Sequence, residues 1–84
     1  GLKVRIIRMR KVPFIDSTGV HNLSNMCKMC SQMGVKVVLS GVNPKVMKVI
    51  EDAGMDEVVG KENICSHINI ALQRAQQILN AQRV

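Results

Sequence analysis

The segment that most constrains the fold is residues 35–39, in which four branched apolar residues surround Lys36. The segment lacks the regular alternation of a strand that has one face in water. A short run of this kind predicts a strand buried on both faces. Such a strand needs cover from two sides, so the rest of the chain must supply helices.

A first strand and a first helix precede this segment. Residues 3–9 alternate mostly at period two and place Val4 and Ile6 on one face, which predicts a strand. From Ser17 the apolar residues recur every three or four positions, the spacing of an amphipathic helix. Asp16 and Ser17 are both suitable caps for its start, and Gly34 is a suitable terminator. Its predicted apolar stripe comprises Val20, Leu23, Met26, Cys27, Cys30 and Met33.

The second half of the chain predicts two further helices separated by a short strand. Asn43 and Pro44 combine a capping residue with proline at the first helical position, and Gly54 ends that helix. Residues 55–59 are assigned to a third strand and residues 66–83 to a last helix. The order β-α-β-α-β-α predicts a parallel sheet covered by helices. The stripes of these two helices are predicted to be Val46, Val49, Ile50 and Ala53, and Ile68, Ala71, Leu72, Ala75, Ile78, Leu79 and Gln82.

The composition indicates one small domain. The chain has 84 residues, 46% of them hydrophobic, and Phe14 is its only aromatic residue, so aliphatic residues and six methionines must fill the core. Phe14 and Ile15 are expected to form a short apolar anchor before the first helix. No apolar run approaches the ~20 residues needed to span a bilayer. Three cysteines do not make a disulfide scaffold, which favours a reducing, cytoplasmic location.

The net charge of +6 is concentrated near the N-terminus. An anionic partner would explain it, but a sheet edge kept soluble by charge is the favoured explanation. Nucleic acid is disfavoured because the chain has no Tyr or Trp for base stacking. Residues 41–45 precede a helix but lack the glycines and the Lys-Ser/Thr pair of a phosphate loop. Five of the twelve basic residues come before the first acidic residue: Lys3, Arg5, Arg8, Arg10 and Lys11.

Residues 12–20, which contain Asp16-Ser17-Thr18-Gly19, resemble the signature of STAS domains. The similarity continues in the family's order through residues 34–44, 53–60 and 62–64. It implies the α/β STAS fold, also called anti-sigma-factor-antagonist-like, in which a mostly parallel sheet is covered by helices. Residues 1–84 are then one STAS domain, and the N-terminal strands and first helix of the family fold are expected upstream of Gly1.

Residues 12–16 and 39–42 are more similar to the SulP permease branch of the family. This resemblance implies a non-catalytic regulatory or interaction domain of a SulP-type sulfate or anion transporter, on the cytoplasmic side of an inner or plasma membrane. The expected partners are the membrane domain in the same parent chain, a second copy of the domain and a soluble regulatory protein. No cofactor, metal, nucleic acid or membrane insertion by this segment is expected. The alternative is a free-standing, cytoplasmic anti-sigma-factor antagonist.

The sequence Asp16-Ser17-Thr18-Gly19 places hydroxyl groups at a helix N-terminus, where backbone N–H groups are unsatisfied and the macrodipole is positive. In isolation this pattern is a capping motif. The resemblance to the antagonists implies that Ser17 is the candidate phosphorylation site, with Thr18 the weaker candidate. A phosphate on Ser17 would add about −1.5 to −2 charges and alter partner binding without unfolding the domain.

Cys27 and Cys30 form a CxxC pair, which raises a redox or metal protein as a further alternative. A reactive thiol needs a helix N-terminus or a cation to lower its pKa, and this pair lies about ten residues into a helix. A zinc ion would need two further ligands from Cys65, His21 and His67. Packing in the core is therefore favoured for the cysteines and surface positions for the histidines, and no catalytic residue is predicted.

Overall fold

The computed structural model describes residues 3–81, which form two strands and four α-helices. In chain order the elements are β1 (Lys3–Arg8), α1 (Ser17–Gln32), β2 (Val35–Ser40), α2 (Pro44–Asp52), α3 (Met55–Val59), a 3₁₀ turn (Lys61–Asn63) and α4 (Ile68–Ala81). The predicted first strand, first two helices and central strand are confirmed. The last helix is also confirmed from Ile68, while Gln82 and Arg83 lie outside the described residues.

Strand β2 lies at the centre of the hydrogen-bonded layer. It pairs in parallel with β1, in a register that runs from Lys3 opposite Val35 to Arg8 opposite Ser40. On its other side, Leu39 forms a parallel bridge with Ile64. The Cys65 N–H donates to the Leu39 carbonyl at 2.8 Å and fixes this third extended segment. The predicted parallel arrangement is confirmed, with helices on both faces.

The two faces of β2 contact two different hydrophobic clusters. Val37 and Leu39 face α1, α2 and α3, where they belong to the larger cluster together with Met9, Val20, Cys27, Val42, Val46, Ile50, Met55 and Val59. Val38 faces α4 and packs with Cys65, Ala71 and Ile78, and with the half-buried Val4 and Ile6 of β1. Successive residues of a strand point to opposite faces, so this short segment anchors both layers. The prediction of burial on both faces is confirmed.

The predicted third strand at residues 55–59 is wrong, because these residues form helix α3. Gly54 makes the preceding turn with φ +73°, and the Gly60 N–H donates to the Asp56 carbonyl at 2.8 Å. A helix brings Met55 and Val59 onto one buried face and leaves Glu57 exposed on the opposite one. A strand would have put Glu57 on the same face as those two apolar residues.

Several residues predicted to be covered are exposed. Phe14 is 73% exposed and does not act as an anchor, whereas its neighbour Ile15 packs against the larger cluster. Met33 is the exposed C-cap of α1, and Ala53 is the exposed C-cap of α2. Leu72 lies beside the contact line of α4, because the small residues Ala71 and Ala75 face the sheet.

A matched pair of isoleucine substitutions, one in the larger cluster and one at the surface, tests this packing. Ile50 is completely buried, whereas Ile70 on α4 is 47% exposed. Ile50→Val should lower the free energy of unfolding by about 0.5–1.5 kcal/mol, because it removes a methylene and leaves a small cavity. Ile70→Val should change it by less than ~0.5 kcal/mol. Urea denaturation of the two variants measures this difference, and equal effects would contradict the assigned core.

Candidate functional site at a helix N-terminus

Helix α1 begins at a capped turn formed by the Asp-Ser-Thr-Gly sequence. Asp16 is the N-cap, with extended backbone (φ −94°, ψ 178°), and its carboxylate Oδ1 accepts a hydrogen bond from the Gly19 N–H at 2.7 Å. The Asp16 carbonyl accepts from the Val20 N–H at 2.9 Å, which is the first helical hydrogen bond. Of the two predicted caps, Asp16 therefore has this role, because its side chain satisfies an otherwise free N–H group.

Ser17 and Thr18 follow the cap as the first two residues of α1, and both are exposed. Their hydroxyl groups are accessible at the positive end of the helix dipole. Gly19 packs closely against the preceding turn, since a Cβ atom there would lie 2.9 Å from Ile15 Cγ1. The four residues thus have separate structural roles: Asp16 caps the helix, Gly19 packs against the preceding turn, and Ser17 and Thr18 present their hydroxyl groups to solvent.

Asn43 joins the loop before this site to the start of α2. Its Nδ2 donates to the carbonyls of Val12 and Pro13, at 3.1 and 3.3 Å. Its Oδ1 accepts from the Val46 N–H at 2.8 Å, so one side chain caps α2 and fixes the loop that leads to Asp16. Sequence reasoning found the cap but missed the cross-link, because no local pattern relates residues some thirty positions apart.

Ser17 lies at the rim of a groove of about 510 Å³ between α1 and the corner formed by α2 and α3. The α1 side of the groove carries His21, Ser24 and Lys28, and the opposite side carries Asp52. The base is apolar, formed by Val20, Val49, Ala53 and Met55. A charge added at Ser17 would stand at the edge of this groove.

The CxxC pair has the environment of packed core residues. Cys27 is buried, Cys30 is half-buried, and both are free thiols. Burial raises the pKa of the Cys27 thiol, and the neighbouring Cys30 raises that pKa further. A redox-active thiol requires the opposite shift. His21 is exposed and hydrogen-bonded to Asn25 at 3.2 Å, and within residues 3–81 no three potential metal ligands come together.

Comparison with known proteins identifies the family. The STAS domain model matches residues 1–71. The chain belongs to the STAS domain family. This STAS domain is similar to the crystal structure of a sulfate transporter family protein from Wolinella succinogenes, with 37% identity and a TM-score of 0.87. It is also similar to the SulP transporter STAS domain from Vibrio cholerae, with 33% identity and a TM-score of 0.86.

A third relative is a probable sulfate transporter 4.2 from Arabidopsis thaliana, 28% identical over 75 residues. Those residues are 89% of this STAS domain but 11% of the plant protein. The Wolinella and Vibrio structures cover 93% and 94% of the domain, which spans 64% and 62% of those chains. Across residues 3–81, no helix has the length and apolar character that crossing a bilayer requires.

The capping geometry predicts an order of stabilities. Asn43→Ala removes three hydrogen bonds and should cost about 1–3 kcal/mol, since it leaves loop carbonyls and a helix N–H without partners. Asp16→Ala removes a single capping bond and should cost about 0.5–2 kcal/mol. Asn22→Ala, on the exposed surface of α1, is the control and should stay within ~0.5 kcal/mol. Urea denaturation measures all three, and an Asn43→Ala cost equal to the control would contradict the cross-link.

The thiol environments predict an order of reactivity. Burial raises the pKa of both Cys27 and Cys65, so at pH 7 these thiols should be protonated and should react slowly with iodoacetamide. Cys30 is half-buried and should be alkylated first. Mass spectrometry of partly alkylated native protein gives the order. If Cys27 reacted fastest, it would have the activated thiol that the redox hypothesis requires.

Proposed function

We propose that this STAS domain is a non-catalytic interaction and regulatory domain of a SulP-type anion transporter, on the cytoplasmic face of the membrane. The observation that carries the proposal is the similarity to two solved structures described as belonging to sulfate transporters, at 37% and 33% identity. The plant relative supports it, because the domain matches only 11% of that protein. A domain that is a small part of a transporter is well placed to control the larger part.

The polar side chains of the described region support a binding role. Asp16 and Asn43 cap helices, and Asn63 donates to the Val59 carbonyl at 2.7 Å and accepts from Arg74 at 2.7 Å. These groups hold the backbone in place. By contrast, Ser17 and Thr18 are presented to solvent beside a groove. The domain would thus present a rigid surface on which a modification changes the charge.

Ser17 is the proposed regulatory site, with Thr18 the less favoured alternative. A phosphate on Ser17 would add about −1.5 to −2 charges next to the exposed Asp16 carboxylate. The N-terminal N–H groups of α1 can stabilise that charge, so the helix would persist. The edge of the groove would become strongly negative, and a partner docked there would be released. The partners proposed are the membrane domain of the parent chain, a second copy of the domain and a soluble regulator.

Phosphorylation mapping tests the site. Incubation with a cognate kinase should add one phosphate, and Ser17→Ala should abolish that addition while Thr18→Ala retains it. Tandem mass spectrometry locates the modified residue. Unchanged phosphate incorporation in Ser17→Ala would show that the site assignment is wrong.

Co-purification tests the transporter partnership. The membrane domain of the parent transporter, expressed separately, should retain the unmodified STAS domain on an affinity column. Ser17→Asp should reduce the retained amount several-fold, because it adds charge at the groove edge. Ser31→Asp, an exposed position in the last turn of α1, adds the same charge away from the groove and should bind normally. Retention by a soluble kinase but not by the membrane domain would instead support the anti-sigma-factor-antagonist alternative.

A further inference from the structure

A second concave site lies near the C-terminal end of β1 and β2, at the N-terminus of α4. It is a cavity of about 360 Å³ lined by Arg8, Arg10, Ser40, Gly41 and residues 66–68. Open α/β sheets commonly bind ligands at this end of their strands. None of the lining residues carries a carboxylate, and neither ion pair within residues 3–81 involves the two arginines. The cavity therefore carries uncompensated positive charge.

Three backbone segments close around this cavity and fix its shape. The Met9 N–H donates to the Ser40 carbonyl at 2.7 Å, which extends the β1–β2 pairing beyond the strands themselves. The Val42 N–H donates to the Cys65 carbonyl at 3.1 Å and ties the end of β2 to the segment before α4. These bonds hold both arginine-bearing positions opposite the start of the helix.

Gly41 allows the end of β2 to lie very close to the backbone of Arg10. Its φ is +71°, and a Cβ atom there would lie 2.8 Å from both the Cα and the N of Arg10. A side chain would thus be strained by the backbone conformation and blocked by the Arg10 backbone. The glycine lets the end of β2 approach the chain just after β1, and so positions Arg10 at the wall of the cavity.

Ser40 supplies a hydroxyl group inside the site. The residue is only 1% exposed, yet it lines the cavity. Within the described residues, no side-chain hydrogen bond involves its hydroxyl, and no fully buried polar side-chain atom lacks a partner. The little exposed surface that Ser40 retains therefore includes its hydroxyl oxygen, at the wall of the cavity. An unpaired donor at the wall of a positively charged cavity is suited to an anionic ligand.

Helix α4 contributes further donors. The Ala71 N–H makes the first helical hydrogen bond, to the His67 carbonyl at 3.1 Å. The N–H groups of residues 68–70 come before this bond and therefore have no acceptor within the helix. Ile68 lines the cavity. The positive end of the dipole of this 14-residue helix adds to the field of the two guanidinium groups.

We propose that this cavity is a binding site for a phosphate monoester, held through its terminal phosphate by Arg8, Arg10, the Ser40 hydroxyl and the N-terminus of α4. Guanidinium groups donate two parallel hydrogen bonds to phosphate oxygens, which a tetrahedral dianion can accept from two arginines. The volume exceeds that of a bare phosphate, so there is room for a small group attached to it. The site is separate from Ser17, and its occupancy does not depend on the function proposed above.

Isothermal titration of the whole chain tests the proposal. Glycerol 3-phosphate is the soluble probe, and it should bind saturably with a dissociation constant below about 1 mM. Arg8→Gln and Arg10→Gln should each weaken binding about tenfold or more, since each removes a charge-assisted contact. Ser40→Ala should weaken binding about threefold or more.

Arg5→Gln is the matched control. Arg5 is an exposed residue of the same strand that does not line the cavity, and the substitution removes the same charge. It should change affinity less than twofold. Arg8→Lys keeps the charge but loses the paired donors and should give an intermediate affinity. Thermal melts verify that each variant is folded. If the Arg5 control weakened binding as much as the cavity variants, non-specific attraction would replace the proposed site.

Vesicles distinguish the two sources of such a phosphate. One arm uses phosphatidylcholine vesicles that contain phosphatidic acid, and the other uses phosphatidylcholine alone. Binding to the phosphatidic acid vesicles that depends on Arg8 and Arg10 would assign the site to a lipid headgroup. Binding of glycerol 3-phosphate alone would assign it to a soluble metabolite. Absence of saturable binding to both probes would overturn the proposal.

Discussion

Burial of β2 on both faces is the constraint on which the rest of this structure depends. Val38 and Leu39 have no exposed surface, and they point to opposite sides of the layer. One face therefore requires the layer formed by α1, α2 and α3, and the other requires α4. Backbone bonds to β1 and to the segment at Ile64 hold the strand from its two edges. The strand is in direct contact with β1, α1, α4 and the 3₁₀ turn.

This arrangement places both candidate sites at the same end of the layer. In a parallel layer the strands end at a common edge, and each following helix begins near that edge. The start of α1 with Ser17, the Asn43 cap and the start of α4 all lie there. Because α1 and α4 cover opposite faces of β2, the two sites face different directions. A partner docked at Ser17 would therefore leave the cavity beside Arg8 open.

The fold was predictable wherever local signals were sufficient. Caps and periodicity located both strands, α1 and α2, because an N-cap or a glycine terminator acts over only a few residues. The failure at residues 55–59 has a physical cause. In five residues, a helix and a strand both place Met55 and Val59 on one face. The spacing of these two apolar residues therefore cannot distinguish a helix from a strand. What decides is the packing of Met55 and Val59 against α1 and α2.

The sites were predictable to a smaller extent. The cap at Asp16 follows from its neighbours in sequence, and so does the position of the Ser17 hydroxyl group at the start of α1. The basic run near the N-terminus was visible, but which of its members line a cavity depends on the pairing with β2 and on the close approach of Gly41. Arg5 fits the interpretation of a charged sheet edge, while Arg8 and Arg10 do not. Contacts between segments that are distant in sequence make that difference.

Anion uptake by the proposed parent transporter, reconstituted in vesicles, tests the central claim most directly. The comparison is between transporter phosphorylated stoichiometrically at Ser17 and the same preparation after phosphatase treatment. A regulatory domain with its switch at the start of α1 predicts that the uptake rate changes several-fold while the STAS domain keeps its folded spectrum. Equal uptake by the two forms would contradict the claim that charge at Ser17 controls the transporter.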